Sequence, residues 1–227
     1  MLAELTWPEV TRRGADTILA VPLGATEQHG PHLPLSTDTD IAVALCERLV
    51  MARGDVLVAP ALPYGSSGEH AGFAGTLSIG QAALQHLLVE LVRSATDTFA
   101  HVLLVCGHGG NAEPVARAVA TLRGESRDVL AFFPTWRGDA HAGRSETSLQ
   151  LHLAAHVVRR DRVVAGATAP IRELMPVLRH GGVRAVSPSG VLGDPTGAGA
   201  EEGAALLDSL TADLADRVAA WRGPCRA

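Results

Sequence analysis

Aromatic side chains are scarce in this chain, at 4% of its 227 residues, so small aliphatic groups have to fill its core. Ala, Val and Leu dominate instead, a composition suited to helices packed closely on a sheet. Cysteine is sparse too. Cys46, Cys106 and Cys225 are odd in number and far apart, which reads as reduced thiols of a cytosolic protein and excludes a Cys-based zinc site by spacing. Basic runs are missing: Lys and Arg number 19 against 24 Asp and Glu, for a formal net charge of −5. Binding to nucleic acid therefore has little electrostatic support, and an anionic membrane surface hardly more. No stretch approaches the ~18–20 unbroken apolar residues of a membrane span. The opening Met-Leu-Ala-Glu-Leu-Thr-Trp has neither the basic nor the long apolar region of a signal peptide, so a cytoplasmic location is expected.

What is present is enough apolar material for a sizeable core: 47% of the chain is hydrophobic and 19% charged, which argues against disorder. Residues 1–227 are expected to form a single domain, since no repeat, low-complexity stretch or linker divides them. Short apolar runs alternate with longer amphipathic segments. Strands are expected at 17–23, 56–59, 101–106 and 129–133, the third being continuously apolar as a central parallel strand should be. Helices are expected at 40–53, 81–98, from a cap at Asn111 to 123, at 146–158 and at 200–222. The alternation implies an α/β fold with three layers, a mostly parallel central sheet carrying helices on both faces. Ligands in such folds sit at the carboxyl ends of the strands. The long Gly-, Pro- and Ser-rich stretches at 60–80, 135–145 and 171–199 are expected to serve function or assembly. The last has room for short strands.

Ionisable residues gather on the loops at those strand ends. Just after the first strand come Glu27 and His29, two apart and on one face of an extended segment, with Asp38 nine residues further on. One imidazole and two carboxylates suit Zn²⁺, Mn²⁺ or Fe²⁺. A solvated loop is the plainer reading of those three alone. His108 lies in Gly107-His-Gly-Gly-Asn111 at the end of the best strand. That is a ligand position, or equally an anion-binding glycine turn. His141 suits acid–base work, and Glu146 at a helix start either ligates or complements the dipole. His152 and His156 are four apart but lack the Glu of a zincin motif, so they read as helix surface.

Several motifs run together across residues 4 to 150. They are Leu5-Thr-Trp-Pro; Pro22-Leu-Gly-Ala-Thr-Glu-Gln-His-Gly-Pro-His-Leu-Pro; Thr37-Asp-Thr-Asp; Glu69-His-Ala-Gly-Phe-Ala-Gly-Thr-Leu-Ser; Gly107-His-Gly-Gly-Asn; and His141-Ala-Gly-Arg-Ser-Glu-Thr-Ser. In this order and spacing they resemble the creatininase family of metal-dependent amidohydrolases. The resemblance implies a metal-dependent hydrolase of C–N amide bonds with two divalent ions per subunit (Zn, Fe or Mn). It places Glu27, His29, Asp38 and His108 as ligands, with Asp38 bridging, His29 and His108 on one ion and Glu27 on the other. Creatininase itself has a glutamate where Gly110 stands here. Glu146 is the natural replacement, as ligand and catalytic group. His141 is then the proton donor to the leaving nitrogen, and Glu69, His70 and Trp136 become candidate substrate contacts. Gln28 and His32 are expected to orient ligands. The resemblance also implies a homo-oligomer, often a hexamer built of dimers, and a peptide or small amide as substrate.

The stretch from His180-Gly-Gly-Val to Pro195-Thr-Gly-Ala resembles one branch of that family, encoded in mycofactocin biosynthesis clusters. That branch is a peptidase releasing the modified C-terminal Val–Tyr-derived fragment of a precursor peptide. Formamide hydrolysis and creatinine ring opening are the alternatives within the family. A non-catalytic anion-binding α/β domain is the alternative of another class, and it leaves Glu27, His29 and Asp38 without a role.

Overall fold

The computed structural model describes residues 1–222; Cys225 lies outside them. Four parallel strands form the sheet: β1 (Ile18–Leu23), β2 (Val56–Val58), β3 (His101–Cys106) and β4 (Asp128–Phe132), in the order β2-β1-β3-β4. β1 and β3 are in register along their full length, from Ile18 against His101 to Leu23 against Cys106. Every residue of both is buried, which is why each reads as an unbroken apolar run. Pro22 sits inside central β1 without breaking the ladder to β3. Its carbonyl accepts from Leu62 N at 2.9 Å, so its missing N–H lies on the β2 side, past the end of that short strand.

Among the described residues, seven α-helices surround the sheet: α1 (Trp7–Arg13), α2 (Thr37–Ala52), α3 (Gln81–Ala95), α4 (Ala112–Gly124), α5 (Arg144–Ala154), α6 (Ile171–Val186) and α7 (Ala200–Arg222). On one face Leu19, Val21, Val102 and Leu104 pack against Leu84 and Leu88 of α3 and Val115 and Leu122 of α4. On the other, Ile18, Ala20, Leu103 and Val105 meet α2 (Ile41, Leu45, Leu49), α5 (Leu149) and α7 (Leu207, Leu210, Leu214). The strand side chains alternate between the two cores because their period is two. Each buried Leu contributes about 1.5–3 kcal/mol of transfer free energy. No helix among the described residues is long and apolar enough to cross a membrane.

Two local expectations are corrected. The 171–199 stretch holds helix α6 in place of short strands. Its Pro176 and its kink at Gly182 (φ 69°) hide the helical pattern in the sequence. Asn111 precedes α4 without capping it: its side chain donates to Gly24 O at 3.0 Å and accepts from Ser66 N at 2.8 Å. It staples the end of β1 to the loop before α3.

The strand order turns between β1 and β3, one leading to β2 and the other to β4. A crevice opens at that switch point, over the carboxyl ends.

Candidate metal centre

Glycine at both of these strand ends brings the site together. A Cβ on Gly24 would fall 2.3 Å from Thr39 Oγ1, and one on Gly107 would fall 2.2 Å from Asp38 O. The first turn of α2 therefore rests directly on the ends of β1 and β3, which carries Asp38 into the crevice. Glu27 and His29, on the segment that follows β1, reach the same point, both fully buried. His108 comes from the end of β3. His141 and Glu146 come from the loop before α5 and its first turn.

Asp38 is the centre of the arrangement. Its Oδ1 lies 3.1 Å from His29 Nε2, which is itself 3.9 Å from Glu146 Oε2. Its Oδ2 lies 3.2 Å from His108 Nδ1, while His108 Nε2 is 3.1 Å from Glu27 Oε2. Two ligand groups result, Glu27–Asp38–His108 and His29–Asp38–Glu146, with Glu27–His29–His141 as a third overlapping triad. His29 and His108 thus face opposite oxygens of Asp38, whereas the family resemblance implies that they share an ion. Glu146 sits with His29, on the far side of Asp38 from His108.

Both oxygens of Glu27 and Oδ2 of Asp38 are buried and form no well-aligned hydrogen bond, meeting imidazole nitrogens at 3.1–3.3 Å instead. An orphaned buried carboxylate is costly unless a cation satisfies it, so the residues present fit divalent ions. Burial and Asp38 push Glu27 up to about 8. Burial alone would lower His29 and His108, but the carboxylates around them prevail and hold them up, at about 10 and about 9. Burial likewise opposes ionisation of Asp38, yet His29 and His108 keep it well below the usual carboxylate range. Glu146 is raised, by burial first.

The neighbouring histidines are held neutral. His141 donates from Nε2 to Gln28 O at 2.8 Å, leaving Nδ1 free and 3.8 Å from Glu27 Oε1. Burial and then the charges of His29 and His70 hold it well below its ordinary value. Gln28 Nε2 donates to His70 Nδ1 at 2.9 Å, so His70 carries its proton on Nε2, 3.3 Å from Glu27 Oε1. Burial brings His70 down to about 3. Gln28 also reaches Gly190 O at 3.1 Å, and His32 Nε2 contacts Thr147 Oγ1 at 2.9 Å, one residue beyond Glu146. Both therefore brace the residues around the centre.

A cavity of about 720 Å³ opens over this cluster, walled by Met175, Leu178 and Val183 of α6 and by Leu192. Glu69 and His70 line it, Glu69 half-exposed and His70 buried. Trp136 is not brought there. It packs against the core under α5 and α7 and lines a separate cavity with Ser145 and Leu206. His152 contacts Arg48 on the surface and His156 falls in the turn after α5; neither reaches the cluster. The apolar wall supplied by α6 was missed in the sequence. The helical spacing of Ile171, Met175 and Leu178 was the available signal, masked by Pro176.

A doubly wound sheet whose strand ends gather carboxylates and imidazoles around one shared aspartate defines a metal-dependent hydrolase of the α/β class. The creatinine amidohydrolase (creatininase) family model matches residues 3–218, and the chain belongs to that family. It is 51% identical over 213 residues to the mycofactocin precursor peptide peptidase of Mycolicibacterium smegmatis, covering 90% of this chain and 85% of that one. Two solved structures, a mutant creatininase of Zn–Zn type and a creatininase with Mn, each superpose with a TM-score of 0.85 at 28% identity. Each match covers 98% of both chains.

Proposed function

We propose that this chain is a peptidase acting on the mycofactocin precursor peptide, releasing its modified C-terminal Val–Tyr-derived fragment by metal-dependent hydrolysis of an amide bond. The observation that carries this reading is Asp38, buried between two ligand groups beneath a cavity large enough for a peptide end. The 51% identity to a relative of that name supports the choice of substrate. Two ions, Zn, Fe or Mn, would be held by Glu27, Asp38 and His108 on one side and by His29, Asp38 and Glu146 on the other. When bound, such ions polarise a scissile carbonyl and lower the pKa of water toward neutrality.

The chain's own groups supply the rest. His141 presents a free Nδ1 to the site and is neutral, so it can take the proton of the attacking water. The same nitrogen then delivers a proton to the departing amine, which cannot leave as an anion. Gln28 fixes the tautomer by accepting the Nε2 proton of His141 on its backbone carbonyl. His70 steadies Glu27 through Nε2. The apolar side chains of α6 exclude water and suit an aliphatic or aromatic peptide end. We further propose a homo-oligomeric assembly in multiples of dimers, which sedimentation would test.

Metal-loaded protein should be incubated separately with modified precursor peptide, unmodified precursor peptide, creatinine and a formamidopyrimidine, each read by mass spectrometry. The reading expects cleavage of the modified peptide in preference to the rest. Turnover of creatinine or the formamide alone would assign the chain to another activity of the family.

A further inference from the structure

Glu69 lies on the short turn Gly68–His70, and two glycines let that turn reach the centre. A Cβ on Gly110 would fall 2.2 Å from Glu69 Oε1, 2.4 Å from His108 Nε2 and 2.6 Å from Ser66 O. The carboxylate of Glu69 therefore sits in the space that any side chain at 110 would fill. From above, Gly182, at the kink of α6, approaches so closely that its Cβ would lie 2.6 Å from Glu69 O. Arg184 ties the same helix to the turn by donating to Gly72 O at 2.9 Å. Glu69 is thus clamped between the strand end and the helix that walls the cavity.

Its carboxylate is aimed at the centre. Oε1 is 3.5 Å from His108 Nε2, its one ionic contact among the described residues. Oε1 of Glu69 and Oε2 of Glu27 approach the same His108 nitrogen, at 3.5 and 3.1 Å, so two carboxylates converge on one side of the centre. Four carboxylates in one cluster carry the charge that two divalent ions balance.

We propose that Glu69 is a working member of the metal centre: its carboxylate closes the Glu27–Asp38–His108 group on the cavity side, in the space left by glycine at 110. Glu69 belongs to the metal, then, and not to the substrate. This rests on the metal-dependent reading above, and the experiment separates the two.

Full-length protein is stripped with chelator and titrated with Zn²⁺ or Mn²⁺ alone, bound metal being counted by elemental analysis. Co²⁺ serves as a spectroscopic probe of coordination. Glu69→Gln keeps the shape and removes the charge. It should weaken one of the two ions about 10–100-fold and change the visible Co²⁺ spectrum, while the melting temperature of the stripped protein stays at the wild-type value. Gly110→Ala, which displaces Glu69, should reproduce both effects; should it fail to fold, E69Q decides the matter unaided. E69Q with wild-type affinity for both ions and an unaltered cobalt spectrum would overturn the role and leave the centre standing. Wild-type protein that takes up no ion would remove the centre, and the role with it.

Discussion

His29, His108 and Glu27 are held in protonation states that metal binding must change. Without an ion, His29 and His108 keep their protons to about pH 10 and about 9, and Glu27 keeps its own to about 8. An ion needs neutral imidazoles and an ionised carboxylate, so it competes with protons throughout the neutral range. Affinity should therefore rise with pH between 6 and 8, about tenfold per unit for each proton displaced. Calorimetry of Zn²⁺ uptake in buffers of differing ionisation enthalpy counts those protons; uptake that releases none would contradict the ligand assignment. His141 differs, being neutral already. His141→Ala should keep both ions and lose about 10²–10⁴-fold in turnover, checked by elemental analysis alongside steady-state kinetics. At this scale much was legible. Glu27, His29, Asp38, His108, His141 and Glu146 all stand on the segments that follow strands, in loops or in the first turn of the next helix, where a crevice is expected, and the structure gathers all six. Which ligands share an oxygen of Asp38 was not legible, because it depends on side-chain directions set by distant contacts. Nor was the closeness of Glu69 to Gly110, which are 41 positions apart in sequence.

The elements that carry these residues are pinned by close backbone approaches. Gly107 lets α2 touch the end of β3, with a would-be Cβ 2.2 Å from Asp38 O. Gly107→Ala should push that first turn away, destabilise the protein by about 1–3 kcal/mol and weaken metal binding as well. Urea unfolding and metal titration of the variant check both effects. In contrast Leu88→Ala, in the core under α3, should cost about 2–5 kcal/mol and leave the affinity of the folded protein for metal unchanged. β3 and α7 were read from sequence at their observed bounds, since one is a pure apolar run and the other a long periodic helix. α6 was not. A proline inside it and paired glycines near its end imitate a loop, and only one of its residues, Val183, is buried. That Trp136 lies outside the cavity was not legible for a related reason: loop sequence does not say on which side of α5 its side chain packs.

For the molecule as a whole, the claim is that one centre, shared through Asp38, performs amide hydrolysis and requires its ions. The ions bind the folded chain alone, so removing them should lower the melting temperature as well as the activity, by about 4 kcal/mol of stability where free metal stands a thousandfold above Kd. The most direct test follows bound metal per chain and cleavage of the modified precursor peptide on the same samples, as stripped protein is reloaded stepwise. The account predicts no cleavage from stripped protein, recovery in proportion to bound ion, and no recovery in His108→Ala at any loading. Undiminished cleavage by metal-free protein, or by His108→Ala, would contradict it.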